Sequence, residues 1–319
     1  MAAALLGLLS LSGCIKEDDA DCGIALDFTY MKNVDRVNKF GVSVRSVDVF
    51  IFDHNGNFLE KHEAQATGGA QFLSNDYVMR LPRIKPGNYT FVVWGNLNNL
   101  FTISPLTVST SPASINSATL NLNVEAGGKA PRTDNLTLFH GYQQPLEVKS
   151  NEPGIQKHTI DLIKFTNYIE VTITGIPVSG DNIDNIPIHC YITSENGSYR
   201  FDGTFANNNT VYYYPVVSVG SDLNSVTYRF YILRESLLSN SRLYITKDDG
   251  VEEAIELMEV DLVEKLVAIF GNTRNPKNTG DLDRDDEYYL DFELDYTNNT
   301  VTIFINDWVE IPSKPKPLK

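Results

Sequence analysis

This chain is poor in the residues that do chemistry. It has only three cysteines, Cys14, Cys22 and Cys190, with no Cys-x-x-Cys among them, which is too few for a disulfide scaffold. Its five histidines, His54, His62, His140, His158 and His189, are scattered. No His-Glu-x-x-His, no Gly-x-Ser-x-Gly and no phosphate-binding glycine loop ahead of a helix occurs. The sequence therefore nominates no catalytic residue, no metal ligand and no cofactor site. Basic charge is scarce as well: 26 Lys and Arg face 41 Asp and Glu, a formal net charge of −15 that argues against nucleic acid or an anionic lipid surface as a partner. No apolar stretch approaches the roughly twenty residues needed to span a bilayer.

What is present begins at the amino terminus. Ala2 to Leu11 is a short run of apolar and small residues, and after Leu11-Ser12-Gly13-Cys14 the chain turns polar and acidic through Lys16-Glu17-Asp18-Asp19-Ala20-Asp21. A run too short to span, with small residues ahead of a junction, is what a signal peptidase accepts. Leu11-Ser12-Gly13-Cys14 resembles the lipobox of bacterial lipoproteins. That resemblance implies that residues 1–13 are removed as a signal peptide, that the Cys14 thiol is alkylated with diacylglycerol, and that the new amino terminus is acylated. Each buried methylene contributes about 0.8 kcal/mol, so two or more acyl chains on one residue hold a soluble domain at a membrane. Met1 is followed by no Lys or Arg, although signal peptides normally open with positive charge, which fits a start inside a longer signal. Residues 14–22 read as a lipidated tether. Within it, Lys16-Glu17-Asp18 resembles the surface-export tag of Bacteroidota lipoproteins. With Cys14 acylated, Cys22 and Cys190 either pair in an oxidising envelope or stay free, with Cys190 in a core strand.

From Cys22 onward the pattern is β. Val47 to Phe52 is β-branched and aromatic and ends at Asp53-His54-Asn55-Gly56, a strong hairpin signal. Tyr77, Met79 and Leu81 alternate with polar residues, and Tyr89 to Gly95 is apolar on both faces, as expected of a central strand in a covered sheet. Ile169, Val171 and Ile173, then Ile188, Cys190 and Ile192, then Val226, Tyr228, Phe230 and Ile232 each share one face. A last hairpin sets Leu290, Phe292, Leu294 and Tyr296 against Val301, Ile303 and Ile305. One helix is expected between Glu259 and Phe270, with Asp261 placed to pair with Lys265. The pattern lapses between Gln143 and Gln156, so domains are expected at 23–152 and 153–312, with a Pro/Lys tail at 313–319.

Two clusters invite a ligand reading. The acidic run Asp281 to Glu287 lacks the glycine and the terminal glutamate of a calcium loop and carries Arg284 in its middle, so a solvated loop is expected. Tyr212-Tyr213-Tyr214, with Trp94 and Trp308, could stack sugars, but adjacent strand residues point to opposite faces and packing is the expectation.

The order of these motifs carries a family resemblance. The lipobox, Val47 to Asp53 with Asn55-Gly56, Pro86 to Asn96, Phe139-His140-Gly141, Asn167 to Gly175, and Val301 to Trp308 together resemble the FimB and Mfa-type fimbrial anchor lipoproteins of the Bacteroidales. The resemblance implies an all-β chain of two tandem transthyretin-like (Ig-like) β-sandwiches, the second carrying one short helix. It also implies a place in the outer membrane, exposed at the surface, and no enzyme activity. The implied function is to hold the base of a fimbrium and limit its length, the partners being stalk or accessory subunits joined by β-strand addition. Pro312, Pro315 and Pro317 make the tail a poor donor strand, which suits a chain that accepts a neighbour without donating. Two other readings stay open: a surface glycan-binding lipoprotein, and a tip or stalk subunit processed at Arg36 or Arg45.

Overall fold

The computed structural model describes residues 23–82, 84–106, 113–149, 154–176, 186–207, 209–221, 223–248, 254–269, 282–305, 308–310 and 316–317. Cys14, Cys22 and the Lys16-Glu17-Asp18 tag lie outside the described residues. The chain is all-β and built from sandwiches. A first sheet of seven strands has the order β3 (Phe58–Gln65), β2 (Ser46–Phe52), β5 (Gly87–Gly95), β8 (Phe139–Val148), β9 (Ile155–Lys164), β1 (Gly23–Lys32) and β4 (Val78–Pro82). Its neighbours are antiparallel except β1 and β9, which run in parallel with Gly23 opposite Ile155.

β5 takes the central place its sequence demands, because each face of β2 and β5 meets a different core. Val47, Val49, Ile51, Phe91 and Val93 pack with Leu26, Phe28, Phe139 and Leu162 on one side. Phe50, Phe52, Val92 and Trp94 point the other way, into a core continuous with the carboxy-terminal half. The alternation of side chains along a strand puts both sets on one backbone.

The second half is a sandwich. Its six-stranded sheet runs β14 (Val216–Val219), β15 (Ser225–Leu233), β10 (Thr166–Thr174), β18 (Glu287–Asp295), β19 (Thr300–Ile305) and β20 (Trp308–Glu310). It faces a five-stranded sheet ordered β13 (Val211–Tyr213), β11 (Ile188–Ser194), β16 (Arg242–Lys247), β17 (Ile255–Asp261) and β21 (Lys316–Pro317). Ile169, Val171, Ile173, Tyr228, Phe230, Leu290 and Phe292 bury against Ile188, Cys190, Ile192, Leu243 and Ile245. The final hairpin has the anticipated register, with Asp295 opposite Thr300 and every second residue of β18 buried. A three-stranded sheet, β12 (Ser198–Arg200), β7 (Thr119–Leu122) and β6 (Phe101–Ser104), crosses between the halves.

Several expectations are corrected. Gln143 to Gln156 takes in the far part of β8 and the start of β9, both strands of the first sheet, and β10 of the second sandwich begins at Thr166. β8 pairs with β9 at its first two residues, Phe139 and His140, and its register against β5 shifts between Tyr89 and Phe91. A second, four-residue helix, α1 (Phe40–Ser43), precedes β2, too short to carry a periodic signal. α2 (Leu262–Ile269) sits where a helix was expected, but Asp261 accepts the Glu264 N–H at 3.0 Å and meets Arg242 at 3.3 Å, while Lys265 reaches Glu264. The tail also pairs: Lys316–Pro317 lies against Ile255 and Glu256 at a sheet edge, where a missing proline donor is tolerated.

An aromatic cluster joins the halves. The Phe201 ring lies 5.1 Å from Phe50, 5.9 Å from Phe52 and 6.2 Å from Trp94, centroid to centroid. Trp94 packs 4.4 Å from the His140 ring, whose Nε2–H donates to the Phe201 carbonyl at 2.9 Å. Gly141 follows because any Cβ there would lie 2.6 Å from Leu162 and 2.7 Å from Ile160 of β9. Phe201 is fully buried, so Phe201→Ala should cost about 3–5 kcal/mol. In urea, tryptophan fluorescence should then report an earlier transition than far-UV circular dichroism. Coincident transitions at the parent midpoint would show that the halves do not depend on this contact.

Candidate attachment surfaces

The carboxy-terminal sandwich begins immediately after β9, at Phe165, and β1 runs parallel to β9. Gly23, through which the described chain connects to Cys14, therefore lies at the end of the first sheet remote from that sandwich. The 10 residues of β1 put roughly 30 Å between that end and the junction. Whatever holds the amino terminus holds the molecule by one tip.

The sheet edges differ in what they offer. β3 presents Glu60, Lys61, His62 and Glu63, the charge that keeps an edge from pairing. β13 is covered, because Gly128 and Ala130 already exchange backbone hydrogen bonds with Tyr212. β20 and β21, the last strands of the chain, are taken up by its own sheets. β14 pairs with β15 on one side only, carries no charge, and leaves Val216 39% exposed. At four residues it is short, but it is the least charged open edge of the second sandwich among the described residues.

The residues singled out from sequence go to different places. Cys190 is buried in β11 and burial pushes its thiol pKa up; its suggested partner Cys22 lies outside the described residues. Trp94 is fully buried, and the Trp308 side chain is outside the described residues. Tyr213 turns inward, donating to Asn196 Oδ1 at 2.8 Å, while Tyr214 turns outward beneath Lys129 and Arg132. The acidic loop is not simply solvated: Asp283 pairs with Arg234, and Asp286 meets Lys164 at 2.5 Å and Tyr30. Among the described residues no three His, Cys, Asp or Glu side chains converge as a metal site. The β14 edge went unread in the sequence, although Pro215 followed by Val-Val-Ser-Val was its signal.

The model of a family described as fimbrillin-A associated anchor proteins Mfa1 and Mfa2 matches residues 17–314. The chain belongs to this family. The minor fimbrium anchoring subunit Mfa2 of Porphyromonas gingivalis is 25% identical over 273 residues, 82% of this chain and 77% of that protein. The solved fimbrial anchor protein Mfa2 of the same organism shares the fold with a TM-score of 0.73 at 20% identity, covering 91% of this chain and 99% of that one. A suggested polysaccharide-binding protein of Bacteroides thetaiotaomicron is similar in fold, with a TM-score of 0.74 at 21% identity, covering 91% and 98%. The chain is thus a fimbrial anchor protein of the Mfa2 type, a structural role.

Two buried titratable groups in this anchor protein have opposed pH responses. Glu235, fully buried, accepts from Asn196 Nδ2 at 3.1 Å and from the Ser241 hydroxyl at 2.7 Å, and burial raises its pKa from 4.5 to about 7. Ionisation then favours the unfolded chain, so this carboxyl withdraws stability as pH rises from about 4.5 to about 7. Burial lowers His140 from 6.5 to about 4, so it withdraws stability as pH falls through that window. The two slopes offset each other between about 4.5 and 6.5. Glu235→Gln should therefore gain about 3 kcal/mol relative to the parent between pH 4.5 and pH 8, read from thermal melts. A difference independent of pH would place the Glu235 pKa at its ordinary value.

Proposed function

We propose that the chain is a lipoprotein of the outer membrane, cut before Cys14 and acylated there, which holds the base of a fimbrium. It is exposed at the cell surface, receives one strand from a stalk or accessory subunit, and so limits the length of the fibre. The observation that carries this reading is polarity. The tether enters at the tip of the first sheet remote from the second sandwich, and the unguarded β14 edge belongs to that second sandwich. A membrane at one end and a fibre at the other is what an anchor requires.

Strand addition supplies the attachment without chemistry, since an incoming extended segment satisfies the outward backbone groups of β14 and fits alternate side chains beside Val217 and Val219. β20 and β21 are held in their own sheets and are not free to be donated. Processing at Arg36 or Arg45 would release β1 from between β9 and β4, taking buried Ile24, Leu26 and Phe28 with it. A retained β1 keeps the tether covalent. On this reading the domains divide at Lys164–Phe165, and Cys190 remains a core thiol.

The intact mass of the protein extracted from membranes should correspond to an acylated chain beginning at Cys14, and Cys14→Ala should abolish the lipid. A mature chain starting after Arg36 or Arg45 would make this a fibre subunit instead. Proline scanned through Val216–Val219 should reveal a position that keeps the melting temperature yet weakens capture of the stalk subunit about tenfold, because only outward N–H groups are lost there. Capture unaffected at every position would exclude the β14 edge.

A further inference from the structure

A groove of 770 Å³ lies across the junction end of the first sheet, beside a 420 Å³ recess on the second sandwich. The two adjoin, sharing Thr137, Lys164 and Glu287 in their walls. Its walls are the ends of strands: β1 and β9 finish there, β2 and β8 begin there, and β10 and β18 start on the far side. Strand ends present no ladder of free N–H and C=O groups, so an added strand has nothing to pair with. The groove is distinct from the β14 edge in this respect.

Its chemistry is that of a polar ligand with apolar faces. Arg45 is exposed, lies 5.6 Å over the Phe72 ring, and has no carboxylate partner among the described residues. The other two cations of the larger part are neutralised, Lys39 by Asp35 and Lys164 by Asp286. Side-chain amides of Gln65, Asn98 and Asn135 face the same space. Asn33, 3% exposed, spends both amide hydrogens on the Tyr30 and Val37 carbonyls, and its Oδ1 accepts from none of the described residues. In the recess three tyrosines form a cluster: Tyr168 lies 5.3 Å from Tyr231 and 6.2 Å from Tyr289, and Tyr289 is 56% exposed. Glu287 stands between the two parts as an acceptor.

We propose that this groove binds an oligosaccharide, its pyranose rings stacked on Tyr289 and Phe72 and its oxygens held by Arg45 and the neighbouring amides. A pyranose has a flat C–H face that suits an exposed aromatic ring and a rim of hydroxyls that both donate and accept. Both volumes fall within the several-hundred-Å³ range of ligand clefts. An apolar peptide fits poorly, because its side chains would desolvate the amides and charges without pairing them. Within the depression Lys39, Lys164 and Arg229 are each paired with a carboxylate, which leaves Arg45 to meet the ligand, so the ligand need carry no cation. The site stands apart from the anchor reading.

The test uses the full chain bearing Cys14→Ala, run in native gels containing yeast mannan, xyloglucan, arabinoxylan, polygalacturonate or chondroitin sulfate. At least one polysaccharide should retard it, with Arg45→Ala and Tyr289→Ala each weakening the interaction about tenfold at unchanged melting temperature. Tyr244→Ala, in the stacked pair with Tyr191 on the opposite sheet, should bind as the parent does. Retardation by none of the five overturns the proposal, and so does retardation that depends on Tyr244 but not on Arg45 and Tyr289. If Arg45→Ala and Tyr289→Ala instead abolish capture of the stalk subunit while no sugar binds, the groove is a protein-docking surface and the proposal fails. Stalk capture unchanged in both variants leaves the anchor reading standing whatever the gels show.

Discussion

The structure depends on one buried contact, the insertion of Phe201 between Phe50, Phe52 and Trp94 on the outer face of the first sheet. With Phe58 and Phe165 it covers the apolar face of β2 and β5, which left open would make a large contiguous patch of a kind soluble proteins rarely expose. The His140 hydrogen bond to the Phe201 carbonyl fixes the same segment by a polar group, and the imidazole is kept neutral by its burial. The core thereby runs without a break from β2 and β5 into the second sandwich.

The ion pairs add orientation at the same junction. Lys164, the last residue of β9, meets Asp286 just ahead of β18, and Arg234 after β15 meets Asp283. Partly buried pairs of this kind contribute modestly to stability and more to which arrangement is adopted. They also shape the junction groove, since Lys164 and Asp286 form part of its wall. The loop that resembled a failed calcium site is better understood as a clasp between sandwiches.

Much of the fold was legible because alternation along a strand is a local property. Ile169, Val171 and Ile173, or Leu290, Phe292 and Leu294, reveal their buried face from spacing alone. Tyr89 to Gly95 disclosed a central strand for the same reason, two apolar faces demanding two covers. Polar composition marks a linker and the outward face of a strand alike, and β8 runs on past Gln143 with Leu146 and Val148 turned to the core. The α1 turn was missed because four residues hold too little periodicity to register.

By itself the sequence determined the strands whose alternation is regular, which faces those strands bury, and where the short helix of the second sandwich falls, because each follows from neighbours one to four residues apart. The family likeness was legible too, in the order of its motifs. Only the tertiary structure decided that β1 pairs in parallel with β9, that β12 crosses to β7, and that Arg45, Asn135 and Tyr289 line one groove and the recess beside it. Those relations join residues from 77 positions apart, as between Asn121 and Ser198, to well over a hundred, through strand ends and loop closures. Hydrophobic alternation carries no information about which distant partner a strand will choose.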